Sequence, residues 1–186
     1  MEDIYIEESV RQRLILSGIN ELEEHGLADF SLRRAALGAQ VSCAAPYRHF
    51  KSKEEYIYEI IKYVNSKWTL LATEINNIFK NDPSSLAIEM CIANLRFWIA
   101  NRNYRTVFTV ALDSGKTPEV EAMLDYAVLC AVEQYSKYRN FTKEECELKK
   151  YTVRALIAGS VMLVGSGDGD DILFNARKKL EFEFPV

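Results

Sequence analysis

The chain has 186 residues and a net charge of −4, with 48% hydrophobic and 27% charged residues. This is one large domain or two small ones with ample apolar material for a core, and the charge balance excludes a polycation. Any contact with nucleic acid therefore has to come from a local patch.

Only 8 Gly and 4 Pro are present. Such scarcity favours long helices over the turn-rich all-β classes. The opening MEDIYIEESV is acidic and lacks a basic stretch leading into an apolar core, so it does not read as a signal peptide. No apolar run reaches the ~18 residues of a membrane span. Cys43, Cys91, Cys130 and Cys146 form no C-x-x-C pair and read as reduced thiols of a cytoplasmic protein, with no metal or cofactor expected.

In chain order, the first predicted helix runs from about Ile6 to His25, with Ile15, Gly18, Ile19 and Leu22 on one face and Gly26 as a left-handed stop. Ser31 is placed to cap a short second helix carrying Leu32, Ala35, Ala36 and Ala39. Gln40 and Val41 make a turn, and Ser42 is read as the cap of a third helix, Cys43 to Phe50. Pro46 would then be its fourth residue, at the limit of what a first turn tolerates. Ser52 and Glu55 form a capping-box pattern opening a fourth helix to about Lys80, ~42 Å long. Its expected stripe is Ile57, Ile60, Ile61, Val64, Trp68, Leu71, Ile75 and Ile78.

Asp82-Pro83 opens a fifth helix, apolar nearly all round, which marks it as central and buried. A sixth is expected from about Tyr104 to Asp113, and a seventh from Thr117-Pro118 to about Tyr138. Thr142 and Glu145 form a second capping-box pattern, opening an eighth helix to about Val164. The run Gly165-Ser-Gly-Asp-Gly169 breaks the chain, and a ninth helix covers about Asp171 to Leu180. Asp168, Asp170 and Asp171 lack the spacing and closing Glu of a calcium loop and read as a capped loop. The fold class is all-α, about nine helices. An N-terminal three-helix, helix-turn-helix domain spans 1–51 and a larger body 52–186, with the helix at about 52–80 connecting them.

Between Ser31 and Lys53 stand Arg33, Arg34, Arg48, Lys51 and Lys53 with no Asp or Glu, five positive charges in an acidic protein. One-signed charge in one segment suits an anionic partner, and a solvated basic surface is the plain alternative. Cys43, Ala44 and Ala45 keep the third helix slim enough for a major groove, alanine methyls suit thymine methyls, and Arg48 suits a guanine edge or a phosphate. Tyr47, His49 and Lys53 would face phosphates, while Phe50 reads as core. No Ser/His/Asp or Cys/His set is present, and both histidines, His25 and His49, lie in the N-terminal part. An enzyme is not expected.

The run SLRRAALGAQVSCAAPYRHFKSKEE, residues 31–55, resembles the DNA-binding signature of the TetR family of bacterial transcriptional regulators. Ser31, Ala36, Ala39, Val41-Ser42, Tyr47, Phe50, Lys51 and Lys53-Glu54 carry the resemblance, together with Gly26. Gln40 departs from it, standing where the family usually has glycine, and Ala35 stands where a larger aliphatic is common. The resemblance implies DNA contacts by Ser31, Arg33, Arg34, Ser42, Cys43, Ala44, Ala45, Tyr47, Arg48, His49 and Lys53. It also implies an effector pocket in the body and a homodimer built by the last two helices.

Pocket candidates are Trp68, Phe97, Trp98, Phe108, Met123, Tyr126 and Cys130, which suit a mostly apolar effector; ordinary core packing is the alternative for each. Arg96, Arg102 and Arg105 read as surface residues, with an anion-holding role as the alternative. Dimer candidates are Leu156, Gly159, Ser160, Leu163 and Leu173. The function expected is a ligand-responsive regulator, a repressor released from a near-palindromic operator, with double-stranded DNA, a small molecule and a second copy as partners. The alternative is a helix-turn-helix protein without an effector, regulated by a protein partner.

Overall fold

The computed structural model describes residues 9–101, 103–104, 106–107, 118–164 and 169–185, with backbone alone at 118–124. Eight helices are present among them and no strand: α1 Val10–His25, α2 Leu32–Gly38, α3 Ala45–His49, α4 Lys53–Phe79, α5 Pro83–Ala100, α6 Pro118–Tyr138, α7 Lys143–Leu163 and α8 Gly169–Glu183. Asn103, Tyr104, Thr106 and Val107 are also helical. The rest of the expected sixth helix, the start signal at Thr117, Asp168 and the expected helical residues 6–8 lie outside the described residues.

The helix starts follow local chemistry. Ser9 caps α1 by accepting from Gln12 N at 3.2 Å, so the helix begins at Val10. Asp82 caps α5 from Ser85 N at 3.0 Å, with Pro83 first in the helix, where its missing N–H costs nothing. Thr142 Oγ1 accepts from Glu145 N at 3.3 Å, and Glu145 Oε2 accepts from Thr142 N at 2.7 Å. The bonds donated to it by Thr142 N and by the Thr142 hydroxyl, the latter at 2.8 Å, hold the Glu145 carboxyl below its ordinary range. At α4 the box is offset: Ser52 Oγ accepts from Glu55 N at 3.1 Å, but Glu55 reaches back to Lys51 N at 2.6 Å.

The third helix corrects the expectation. It starts at Ala45, its cap is Ala44 with no side-chain bond, and Ser42 contributes only its carbonyl, accepting from Ala45 N at 2.8 Å. Pro46 thus falls in the first turn, where proline belongs. Gln40 takes φ 55°, the left-handed conformation that favours glycine. Gln40→Gly should relieve ~1–2 kcal/mol of backbone strain and return about half as unfolded-state entropy. Calorimetry should show the Tm of Gln40→Gly rising by about 1–4 °C and that of the β-branched Gln40→Val falling.

α5 is the hub. It packs on α4, α6, α7 and α8, and most of its side chains are buried. α8 is pinned to it by a two-pronged ion pair, Arg177 to Glu89 at 2.7 and 2.9 Å. α8 also runs past the expected end to Glu183, and Phe184 is buried edge-on against Tyr135 at 4.9 Å. On α4, Leu71 and Ile78 leave the expected stripe for solvent, and Tyr56 and Ala72 join the buried side. A 27-residue helix drifts round its axis relative to one fixed stripe, so its two ends present different faces.

α4 joins the N-terminal helices to the body through close contacts with α1. A Cβ on Gly18 would stand 2.7 Å from Ile60 Cδ1 and 3.0 Å from the Tyr56 hydroxyl, so any larger residue forces those two side chains to shift. The Tyr56 hydroxyl donates to the Leu14 carbonyl, and its ring stacks on Phe50 at 4.2 Å. Burial pushes the Tyr56 phenol well above its ordinary range. No helix among the described residues is long and apolar enough to cross a membrane.

Candidate nucleic-acid interface and ligand cavity

α2, the turn and α3 form a helix-turn-helix, with the buried side of α3 fixed by Ala45, Pro46 and the following Phe50. The outer side carries Tyr47, Arg48 and His49, all exposed, Tyr47 at 70%. Ser42, Cys43 and Ala44 are exposed in the turn that leads in. Ala45 is a correction: it is 8% exposed and faces the core, because starting the helix at Ala45 turns its methyl inward.

The basic residues divide into two groups. Arg33, Arg48 and Lys51 are exposed and make no ion pair among the described residues. Arg34 is held. Its Nε donates to Glu21 Oε1 at 2.9 Å, and a terminal nitrogen reaches Glu21 Oε1 and the Asp29 carbonyl, both at 2.5 Å. Glu21 is 5% exposed and also accepts from Ser31 N at 3.0 Å. Arg34 is raised above its ordinary value by that hydrogen bond. It therefore fixes α2 on α1 while its side chain stays 45% exposed. Lys53 is likewise turned inward, donating to the carbonyls of Leu27 at 3.1 Å and Ala28 at 3.4 Å over the Phe30 ring. Ser31 serves as the α2 cap, accepting from Arg34 N at 3.4 Å.

A cavity of about 500 Å³ opens between α4, α5 and α6. Trp68, Tyr126 and Cys130, three of the expected pocket residues, line it together. The neighbouring Cys130 side chain raises the Tyr126 phenol above its ordinary value. Phe97 and Trp98 do not line it and pack instead in the core, edge-to-face at 5.1 Å, with the Trp98 indole donating to Asn94 Oδ1 at 3.1 Å. Phe108 and the Met123 side chain lie outside the described residues, as do Arg102 and Arg105; Arg96 is exposed. Sequence reasoning missed Asn65, Met90 and Gln134, which also line the cavity. Asn65 did leave a signal: it is a polar residue next to Val64 and one turn before Trp68 on an otherwise apolar stripe.

The outer face of α7 carries an apolar stripe with no cover: Leu148 at 64% exposure, Tyr151 at 72%, then Ala155, Gly159, and Met162 at 64%. Leu163 is exposed beside it, and Phe174 and Phe182 of α8 are exposed as well. Among the expected interface residues, Gly159 and Leu163 are on the surface, and Leu156 and Leu173 are half-buried. Ser160 is 6% exposed, turned into the bundle, and so is unavailable to a partner. Among the described residues no cluster of His, Cys, Asp and Glu could hold a metal ion.

The whole arrangement matches solved structures of transcriptional regulators. The TetR family regulator PfmR from Thermus thermophilus superposes with TM-score 0.71 at 17% identity, covering 96% of this chain and 97% of that one. A TetR-family regulator from Bordetella parapertussis gives 0.71 at 15% identity, covering 94% and 95%. FadR from Bacillus subtilis, solved in complex with stearoyl-CoA, gives 0.69 at 13% identity, covering 90% and 96%. No family model matches the sequence, and no curated protein matches it. The chain has the fold of the TetR-type transcriptional regulators.

Proposed function

We propose that this chain is a ligand-responsive, DNA-binding transcriptional regulator, a cytoplasmic homodimer released from a near-palindromic operator when a small, mostly apolar molecule fills the α4–α6 cavity. The observation that carries the reading is the outer side of α3. Tyr47, Arg48 and His49 are presented to solvent by a helix whose other side is locked through Ala45 and Phe50. A fold that holds an exposed arginine and tyrosine on so short a rigid element suits insertion in a major groove. Arg33 and Lys51 flank it as phosphate ligands, and Ser42, Cys43 and Ala44 form its small entering edge.

The same geometry suggests how release works. α1–α3 act as the DNA-reading unit, the body from α4 onward as the sensing and dimerising unit, and α4 belongs to both. Its first turns hold α1 and α3 through Tyr56, and its middle turns line the cavity through Trp68 and Ala72. A ligand that tilts the middle of a continuous helix also moves the end that carries α3. The shift is bounded by the ligand's differential affinity for the two tilts.

Selection from a random DNA pool tests the proposal. It should enrich a two-fold symmetric site with half-sites about one turn, ~34 Å, apart or somewhat more. Affinity for that site should fall steeply with salt, log K against log salt sloping by about −0.9 per phosphate contacted. Failure to enrich any sequence would sink the reading.

A further inference from the structure

α3 has only five residues, so its orientation is set by what holds its ends. At its exit the Phe50 N–H donates to the Pro46 carbonyl at 2.8 Å, and Phe50 is buried. Two side chains hold the Phe50 ring. Tyr56 of α4 stacks on it in parallel at 4.2 Å, and the Arg11 guanidinium of α1 stands over it at 5.5 Å, within reach of a cation–π attraction. Each holder also ties α1 to α4. The Tyr56 hydroxyl donates to the Leu14 carbonyl, and Arg11 Nη2 donates to Glu59 Oε2. Arg11 and Leu14 are three apart on α1, as Tyr56 and Glu59 are on α4, so the two ties lie side by side. Glu59 Oε1 also accepts from Lys62 at 3.0 Å. Partial burial works against its charge, yet the bonds from Arg11 and Lys62 keep its carboxyl below the ordinary range.

Resting on the reading of α3 as the DNA-reading helix, we propose that Arg11 and Glu59 are positioning residues: their ion pair is a latch between α1 and α4 that seats Phe50 and so sets the angle at which α3 presents Tyr47 and Arg48. Arg11 acts through Phe50, and its charge is answered within the protein by Glu59. The Arg11 side chain is 45% exposed and that of Glu59 18%. An ion pair so open to water adds little to global stability. Its loss therefore shows at α3, the shortest of the described helices, and not in the melting temperature. A tilt of α4 carries Glu59 with it, so the latch also ties the position of Phe50 to that of the sensing helix.

The test uses the full chain labelled with nitrogen-15 and follows hydrogen exchange of the Phe50 amide, with the amide of Ile157, on the buried side of α7, as internal reference. Arg11→Met keeps an apolar stem over the ring and loses the charge. Glu59→Gln keeps the shape and loses the charge. In either variant the Phe50 amide should exchange about 2- to 5-fold faster, the range an exposed ion pair spans, while Ile157 holds its rate. The double variant should be no faster than Arg11→Met alone, because one pair is lost only once. Arg11→Lys should keep most of the protection. Operator affinity should fall about 4- to 25-fold in Arg11→Met and in Glu59→Gln alike, the square of the first effect, since each of two copies presents a well-placed α3 for a smaller fraction of the time. A Phe50 amide unmoved in both variants, or Ile157 speeding up by the same factor, would overturn the proposal. So would an Arg11→Met protein that loses the operator while Glu59→Gln keeps or gains affinity, which would make Arg11 a phosphate ligand that Glu59 restrains. Amide rates as expected from a protein that enriches no operator would refute the DNA reading and leave the latch standing.

Discussion

Gly159→Phe is expected to give a folded monomer whose operator affinity has dropped by ~100-fold or more. A Cβ built on Gly159 meets nothing within 4 Å, so the protomer itself gives no reason for a glycine in the middle of α7. Mid-helix glycine costs ~1 kcal/mol against alanine. The residue stands among Tyr151, Ala155 and Met162 on an apolar stripe left in solvent, the kind of patch that marks an interaction surface. A second α7 crossing there would need a residue without a side chain at closest approach. A phenyl ring would hold the two helices apart while leaving each protomer's core untouched. Circular dichroism should therefore show an unaltered helical chain, and sedimentation should show the monomer. Loss of the second half-site removes the gain from simultaneous engagement, ~100- to 10,000-fold for linked sites. Gly159→Ala separates the two contributions by sign: it should stabilise the isolated protomer while weakening its dimer. A Gly159→Phe protein that remains dimeric would move the interface elsewhere.

What the sequence made legible is what is decided within a few residues. Ser31, Ser52, Asp82 and Thr142 all cap helices in the structure, because a cap needs only its own side chain and an N–H three residues on. The order helix, turn, helix was legible for the same reason, but not the start of α3, which begins at Ala45 without a bond from the Ser42 side chain. What sequence hid depends on partners brought from afar. Arg34 looks like any other cation of the basic run until α1 places Glu21 against it, thirteen positions away. The signal was available, since Glu21 falls seven residues after Leu14 and three after Gly18, on the buried side of α1. The body was harder still. α5 is apolar on every side, so periodicity could not say that Phe97 and Trp98 face the core while Met90 faces the cavity.

That division of the basic run gives the second large effect. Arg48→Ala is expected to cost ~1–3 kcal/mol of operator binding, about 5- to 150-fold, and to relax the preference at one base position in each half-site. The arginine is exposed on α3 and makes no ion pair among the described residues, so its removal should leave thermal stability unchanged. Arg48→Lys should restore affinity only in part, because an ammonium cannot make the two parallel bonds of a guanidinium to a guanine edge. Arg34→Ala should do the reverse. It strips the buried Glu21 carboxylate of its charged partner, so the melting temperature falls, and DNA binding weakens alike for every sequence as α2 loosens on α1. Arg33→Ala should leave the preferred sequence intact and flatten the salt dependence by about one phosphate. Anisotropy titrations of the three variants against the selected site and a scrambled one, at two salt concentrations, check all of this together. If Arg48→Ala weakened both DNAs equally while Arg34→Ala altered the preferred base, the recognition surface would lie on α2, and α3 would be its support.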